Sequence, residues 1–160
     1  GLNILSKDRT LFEKLTPDCI LTPHMKEMAG LCGHSVKELK EERFRYFQEF
    51  LGSIPSVCVM KDARTLVGRD GRPVYVNTSG NQSMAKGGAG DVLGGMITGL
   101  LAQKTEPYEA GTLGVFLHGL AGDAAQKKKG SYSVLASDIL DGIAEVLTAE
   151  STEMILREKC

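Results

Sequence analysis

The stretch Met84-Ala85-Lys86-Gly87-Gly88-Ala89-Gly90-Asp91-Val92-Leu93 decides how the rest of the chain is read. Gly87, Gly88 and Gly90 fall within four residues and lead into an apolar run from Val92 to Ala102. Glycines free the backbone of side-chain crowding, so successive N–H groups can point to one side. The apolar run has the length of a buried helix, and the N-terminus of such a helix carries partial positive charge. Turn and helix end together form a nest for phosphate or another anion. Asp91 stands in the first turn of that helix, where negative charge is stabilised. A carboxylate beside an anion hole can take a proton from a hydroxyl as that oxygen attacks a phosphoryl group. A second reading of the same residues is purely structural: the glycines permit close packing and Asp91 is an acidic helix start. The pattern is not a Walker loop, since no G-K-[ST] follows, and it is not G-x-G-x-x-G, since Leu93 stands where the third glycine would be.

Outward from this turn, the chain alternates strand and helix signals. On the C-terminal side the spacing predicts helices from Asp91 to about Gln103 and from Pro107 to about Gln126, and a last helix after Ser137. Leu113, Phe116 or Leu117, Leu120 and Ala124 share one face of the second, and Ile139, Ile143, Val146 and Leu147 one face of the third. On the N-terminal side, Thr65-Leu66-Val67 and Val74-Tyr75-Val76 flank Arg69-Asp70-Gly71-Arg72, and Asp-Gly between short apolar runs is a strong hairpin signal. Val57-Cys58-Val59-Met60 is a continuous apolar run, as expected of a strand covered on both faces. Ser35-Val36-Lys37-Glu38 matches the capping box S-x-x-E and opens a helix to about Leu51, with Leu39, Phe44, Phe47 and Leu51 inward. Met25 to Cys32 reads as a short helix closed by Gly33, after a strand at Cys19-Ile20-Leu21. A further short helix is expected over Ser6 to Leu15, capped by Ser6 or Asp8. Strands alternating with helices imply an α/β layer fold.

Composition excludes several function classes. With 19 Lys plus Arg against 20 Asp plus Glu, the 160 residues lack the basic footprint of a nucleic-acid binder. No apolar run approaches the ~20 residues that span a bilayer. Lys127-Lys128-Lys129 reads as a solvated helix end, where cations are favoured. Cys19, Cys32, Cys58 and Cys160 form no C-x-x-C pair and no zinc-spaced cluster, so reduced thiols in a cytoplasmic protein are expected, with no protein-held metal. His118, mid-helix beside Leu117 and Leu120, is expected to be structural, and His34 to be exposed.

Four segments, in order, resemble one known family. Thr22-Pro23-His24-Met25-Lys26-Glu27-Met28 resembles the T-P-H-P-G-E-[MF] segment of ADP-dependent NAD(P)H-hydrate dehydratases, and Met60-Lys61-Asp62-Ala63-Arg64-Thr65 their L-K-G-A-x-T segment. Asn77 through Leu93 resembles their N-x-x-G-N-x-G-M-A-x-G-G-x-G-D-V-L signature, and Leu117-His118-Gly119-Leu120-Ala121-Gly122-Asp123 the helix after it. The resemblance runs from about residue 1 to 150. It implies a ribokinase-like layered α/β sandwich with mostly parallel strands and helices packed on the sheet. The 160 residues would then be the C-terminal part of one such domain, with its N-terminal part absent and the chain on its own weakly active or inactive. It further implies that ADP phosphorylates the hydroxyl added to hydrated NADH or NADPH, that phosphate then leaves, and that AMP is the other product. Asp91 would be the base and a substrate contact, and Gly87, Gly88, Ala89 and Gly90 the anion hole, with Gly90 also near the nucleotide. Lys61, Asp62, Ala63, Arg64 and Thr65 would belong to the nucleotide site, and His24 would touch the hydrated nicotinamide. Mg²⁺ would accompany the nucleotide phosphates, and the assembly would be a homotetramer.

The chain departs from the pattern in three places: Met25-Lys26 for Pro-Gly, Asp62 for Gly and Ser83 for Gly. Asp62 puts a negative charge beside an expected phosphate site. Two alternatives remain beside the dehydratase. One is a vitamin-precursor kinase of the same fold, which would share the Gly-[AT]-Gly-Asp turn but not Thr22-Pro23-His24 or the lead-in Asn81 to Ala85. The other is a nucleotide-binding fragment without turnover.

Overall fold

The computed structural model of the protein describes residues 1–148. Cys160 lies outside the described residues. The chain divides into two units, residues 1–77 with 106–112, and residues 78–105 with those from Leu113 onward.

The first unit holds a four-stranded sheet in the order β1 (Ile20–Leu21), β2 (Val57–Met60), β3 (Leu66–Gly68), β4 (Tyr75–Val76). Only β1 and β2 are parallel; β2–β3 and β3–β4 are antiparallel. This corrects the expectation of mostly parallel strands among the described pairs. Residues 61–65 and 69–74 are too short to return a chain for parallel pairing, which needs a crossover of a dozen or more residues. The segment between β1 and β2 supplies one, in α2 (Met25–Cys32), α3 (Val36–Glu41) and α4 (Arg43–Leu51).

β2 is buried throughout, and its alternation assigns its two faces. Cys58 and Met60 join Leu66, Met28, Leu39, Phe47 and Leu51 in one core. Val57, Val59 and Val67 lie on the other side, within 3.2–3.5 Å of where a Cβ at Gly111 would sit. The chain start, α1 (Leu2–Lys7) and a 3₁₀ turn (Arg9–Lys14) capped by Asp8, packs Leu2, Leu5 and Phe12 onto the same core. One helix over Ser6–Leu15 was expected; two short elements meet at Asp8, whose carboxylate accepts from the Thr10 amide. The helix expected from Ser35 to Leu51 likewise breaks at Glu42 (φ −122°, ψ 40°), while its Ser35–Glu38 capping box is intact. A break confined to one residue leaves the 3.6-residue apolar spacing almost unchanged, so Leu39, Phe47 and Leu51 remain buried while Phe44 turns out to solvent.

Glu106 ties the hairpin to the start of α6 (Pro107–Lys129). Its carboxylate accepts from the amides of Tyr108 and Glu109 and pairs with Arg69 at 2.8 Å and Arg72 at 3.3 Å. Partial burial opposes its charge, yet these bonds and cations hold the carboxyl below its ordinary range. Among the thiols, Cys58 is fully buried and its ionisation is pushed well above the usual range by that burial; burial also lifts Cys32 to about 11.

The second unit is built from α5 (Ala89–Ala102), the body of α6 and α7 (Ala136–Val146). Its core joins Ala89 and Val92 of α5, Leu120, Ala121 and Ala124 of α6, and Ile139 and Val146 of α7. Leu113 and Leu147, expected inward, are exposed. Small residues on α6 set the distances. Gly119 lies against residue Ser79, Gly122 against the Met84 side chain, and Gly142 of α7 against the Ala121 carbonyl. Lys127, Lys128 and Lys129 form the last turn of α6, and Lys129 pairs with Asp138 at 3.0 Å. Among the described residues no helix is long and apolar enough to cross a membrane.

Two glycine substitutions should move stability in opposite directions. A Cβ at Gly119 would overlap the Ser79 hydroxyl and sit 2.7 Å from its carbonyl carbon, so Gly119→Ala should destabilise by about 1–3 kcal/mol. Gly94, inside α5, has open space there, so Gly94→Ala should stabilise by about 0.5–1 kcal/mol. Urea unfolding of both variants against the parent checks the pair, and equal effects would refute the packing account.

Candidate active site

The residues singled out in the sequence fall into two groups, one in each unit. In the second unit the glycine-rich turn stands at the N-terminus of α5. Gly88 is its N-cap, in the left-handed region at φ +89°, and a Cβ there would also approach Ala136 Cβ at 3.0 Å. Both constraints call for glycine. Asp91 occupies the first turn, its amide donating to Gly88 O at 3.1 Å and its side chain exposed. Ala89 is buried, whereas Gly87, Gly88 and Gly90 are exposed. The Ala89 amide makes a long 3.4 Å bond to Lys86 O, while those of Gly87, Gly88 and Gly90 have no acceptor among the described residues. Three exposed glycines with unbonded amides therefore lead into one exposed acidic residue at the positive end of a 14-residue helix.

The lead-in to this turn is fixed on α6 by contacts that sequence reading did not assign. Asp123 accepts from the Gly80 amide at 3.1 Å and from Asn81 Nδ2 at 2.8 Å. Asn81 Oδ1 accepts in turn from the Ser83 amide at 2.9 Å and caps the 3₁₀ turn Gln82–Met84. Ser79 Oγ donates to Phe116 O at 2.9 Å. Gly80, at φ +90°, packs 3.2 Å from Gly119 Cα when its missing Cβ is built. Phe116, Gly119, Gly122 and Asp123 recur at three- and four-residue spacing on one face of α6, and that spacing is the signal that could have identified Asp123. The start of α7 completes the surroundings through Ala136 against Gly88. Asp138 accepts from the Leu135 amide at 2.8 Å, and that bond, followed by Lys129, holds its carboxyl below the ordinary range.

His118, expected to be structural, is not remote from the turn. Its side chain is largely buried, and burial lowers its pKa to about 4 against the opposing hydrogen bond to the Ala89 backbone. It is therefore a neutral imidazole bracing the first residue of α5.

In the first unit, His24 and Lys61 come together. They form an isolated parallel bridge, and the Lys61 amide donates to Pro23 O at 2.8 Å. His24 is the N-cap of α2: its Nδ1 accepts from the Glu27 amide at 3.1 Å, and Glu27 Oε2 accepts from the His24 amide at 2.8 Å. This pattern assigns the proton of the neutral ring to Nε2, which faces outward 3.5 Å from the Glu27 carboxylate. Past β2, Asp62, Ala63 and Arg64 are exposed, and Thr65 Oγ1 donates to Asp62 O at 3.2 Å to close the turn. Asp62 pairs with Arg43 at 3.0 Å. His34, expected exposed, is half-buried with its ring 4.0 Å from that of Tyr46. Among the described residues no three His, Cys, Asp or Glu side chains cluster as a metal site.

The family model for NAD(P)H-hydrate dehydratase matches residues 1–145. The chain belongs to this family. It is 38% identical over 147 residues to a bifunctional NAD(P)H-hydrate repair enzyme of Moorella thermoacetica, covering 92% of this chain and 28% of that one. It is 39% identical over 143 residues to an ADP-dependent (S)-NAD(P)H-hydrate dehydratase of Neisseria meningitidis, covering 87% of this chain and 48% of that one. Its fold matches the ADP/ATP-dependent NAD(P)H-hydrate dehydratase of Bacillus subtilis, co-crystallised with ATP and Mg²⁺ and soaked with CoA, with a TM-score of 0.75 at 33% identity. That match covers 79% of this chain and 47% of the other. The chain thus spans about half the length of the single-function relatives it matches, or less. The ribokinase-like α/β fold expected from the resemblance stands.

Acid should expose the cost of burying His118. Its folded pKa lies below the ordinary 6.5, so the unfolded chain takes up the proton first as pH falls. The stability tied to neutral His118 is complete above about pH 6.5 and is lost progressively toward pH 4. Between pH 7 and pH 5 the loss should be about 2 kcal/mol. Urea midpoints at the two pH values check this, and His118→Asn should show a correspondingly flatter dependence.

Proposed function

We propose that this chain carries the catalytic turn and nucleotide site of an ADP-dependent NAD(P)H-hydrate dehydratase. The observation that carries the reading is the juxtaposition of the exposed amides of Gly87, Gly88 and Gly90 with the carboxylate of Asp91. In this reading Asp91 takes the proton of the hydroxyl on the hydrated nicotinamide ring as that oxygen attacks the terminal phosphorus of ADP. The bond from that phosphorus to the AMP oxygen breaks, and the backbone amides stabilise the charge spread over the transferring phosphoryl oxygens. Phosphate then departs with the C–O bond, a neighbouring ring proton is lost and the double bond is restored. The turn from Lys61 to Thr65 holds the nucleotide, and Nε2–H of His24 donates to an oxygen of the hydrated nicotinamide.

Mg²⁺ bound to the nucleotide phosphates would neutralise part of their charge. The residues present suit a metal that arrives on its substrate and keeps several waters, because that mode needs no cage of protein ligands. The family match favours this reading over the vitamin-precursor kinase, as do Thr22-Pro23-His24 and Asn81 to Ala85. The proposal assigns the protein to the cytoplasmic pool of reduced nicotinamide nucleotides, as a homo-oligomer.

The test grafts this chain in place of the matching segment of the Neisseria meningitidis relative and supplies hydrated NADH, ADP and Mg²⁺. Recovery of reduced-nicotinamide absorbance should follow, and Asp91→Asn should lower it by about 10²–10⁴-fold, the usual contribution of a general base. An Asp91→Asn rate near the parent's would refute the base assignment. His24→Asn separates the two nitrogens of the ring. Asparagine is a good N-cap, so α2 should keep its stability, while loss of the Nε2 donor should raise KM for hydrated NADH about tenfold.

A further inference from the structure

Asp62 is the one negative charge in the turn from Lys61 to Thr65, and it stands where the family pattern has glycine. Uncompensated, it would repel any polyphosphate bound there. Its carboxylate is held by Arg43 at 3.0 Å, with both side chains partly withdrawn from solvent. Arg43 is the first residue of α4, a nine-residue helix that begins immediately after the break at Glu42. A cation at a helix N-terminus opposes the helix dipole, so Arg43 gains nothing from its own helix. The partner that favours it there is Asp62, nineteen positions further along the chain. The guanidinium also lies over the Phe44 ring, 5.4 Å from its centroid, which limits the directions it can take.

We propose that Arg43 is a positioning residue for nucleotide binding, cancelling the charge of Asp62 so that the Lys61–Thr65 turn accepts the phosphates of a nucleoside diphosphate. The inference rests on the reading of that turn as the nucleotide site. With the pair formed, Lys61 leaves the turn net positive; without Arg43, a bare carboxylate faces the ligand within a few ångströms, where charges couple strongly.

Calorimetric titration of the 160-residue chain with Mg²⁺–ADP, and separately with adenosine, tests this in a double-mutant cycle. Arg43→Ala should raise the Kd for ADP about tenfold and leave adenosine binding unchanged. The double variant Arg43→Ala/Asp62→Gly should return the ADP Kd to near the parent's. Equal loss for both ligands, or no recovery in the double variant, would overturn the proposal by showing a merely structural role. Unchanged ADP affinity across the cycle overturns it while leaving the nucleotide site standing. A parent chain that binds neither ligand overturns the nucleotide-site reading and this inference with it. Should Arg43→Ala fail to fold by circular dichroism, Arg43→Gln, which keeps the length of the side chain and removes its charge, takes its place in the cycle.

Discussion

The docking of residues 79–84 on α6 is the constraint on which the glycine-rich turn depends. A nest of backbone amides is useful only if it points in one direction, and glycines alone supply freedom, not direction. Direction comes from Asp123, which holds Gly80 and Asn81, and from Ser79, whose hydroxyl reaches Phe116. Both contacts require the backbone to come close to α6, and Gly119 and Gly122 permit that approach. From the far side, Ala136 at the start of α7 meets Gly88. Rigid packing of the segment before the turn and the helix beside it therefore sets the position of the flexible residues between them.

The first unit solves a different problem with similar means. β2 is covered on both faces, and its alternation shares the cost: Cys58 and Met60 pack one way, Val57 and Val59 the other. Its extension past Met60 brings Lys61 to Pro23 and His24, and the His24–Glu27 box holds that second loop without a rigid Pro-Gly pair. The same economy appears at Glu106, where one carboxylate caps α6 and clamps the two arginines of the hairpin turn.

Much of this was legible in the sequence, because the signals were local. The capping box at Ser35, the Gly33 helix end, the Asp70-Gly71 hairpin and the helix after the glycine turn each depend on a few neighbouring residues. What was not legible depended on partners distant in sequence. Asp123 gave no sign of its role because its partners lie 42 and 43 positions earlier. Arg43 gave none because its partner lies across a helix and a strand. The antiparallel pairing of β2 with β3 was not read because an apolar run reports burial on both faces and says nothing of the neighbour's direction, which loop length decides. His34 was misplaced because an aromatic partner twelve positions later, Tyr46 on α4, stacks against it.

The burial of Cys58 has a consequence for how the first unit can be watched. A thiol reacts as its thiolate, and both burial and the raised ionisation of Cys58 suppress that species in the closed core. Alkylation at this position must wait for the core around β2 to open. Its labelling rate thus reports opening: where reclosing outpaces labelling, it is the reagent's rate with a free thiol scaled by the equilibrium between closed and exposed strand. The protein carries, in the middle of its sheet, a native reporter of its own breathing that needs no engineered probe.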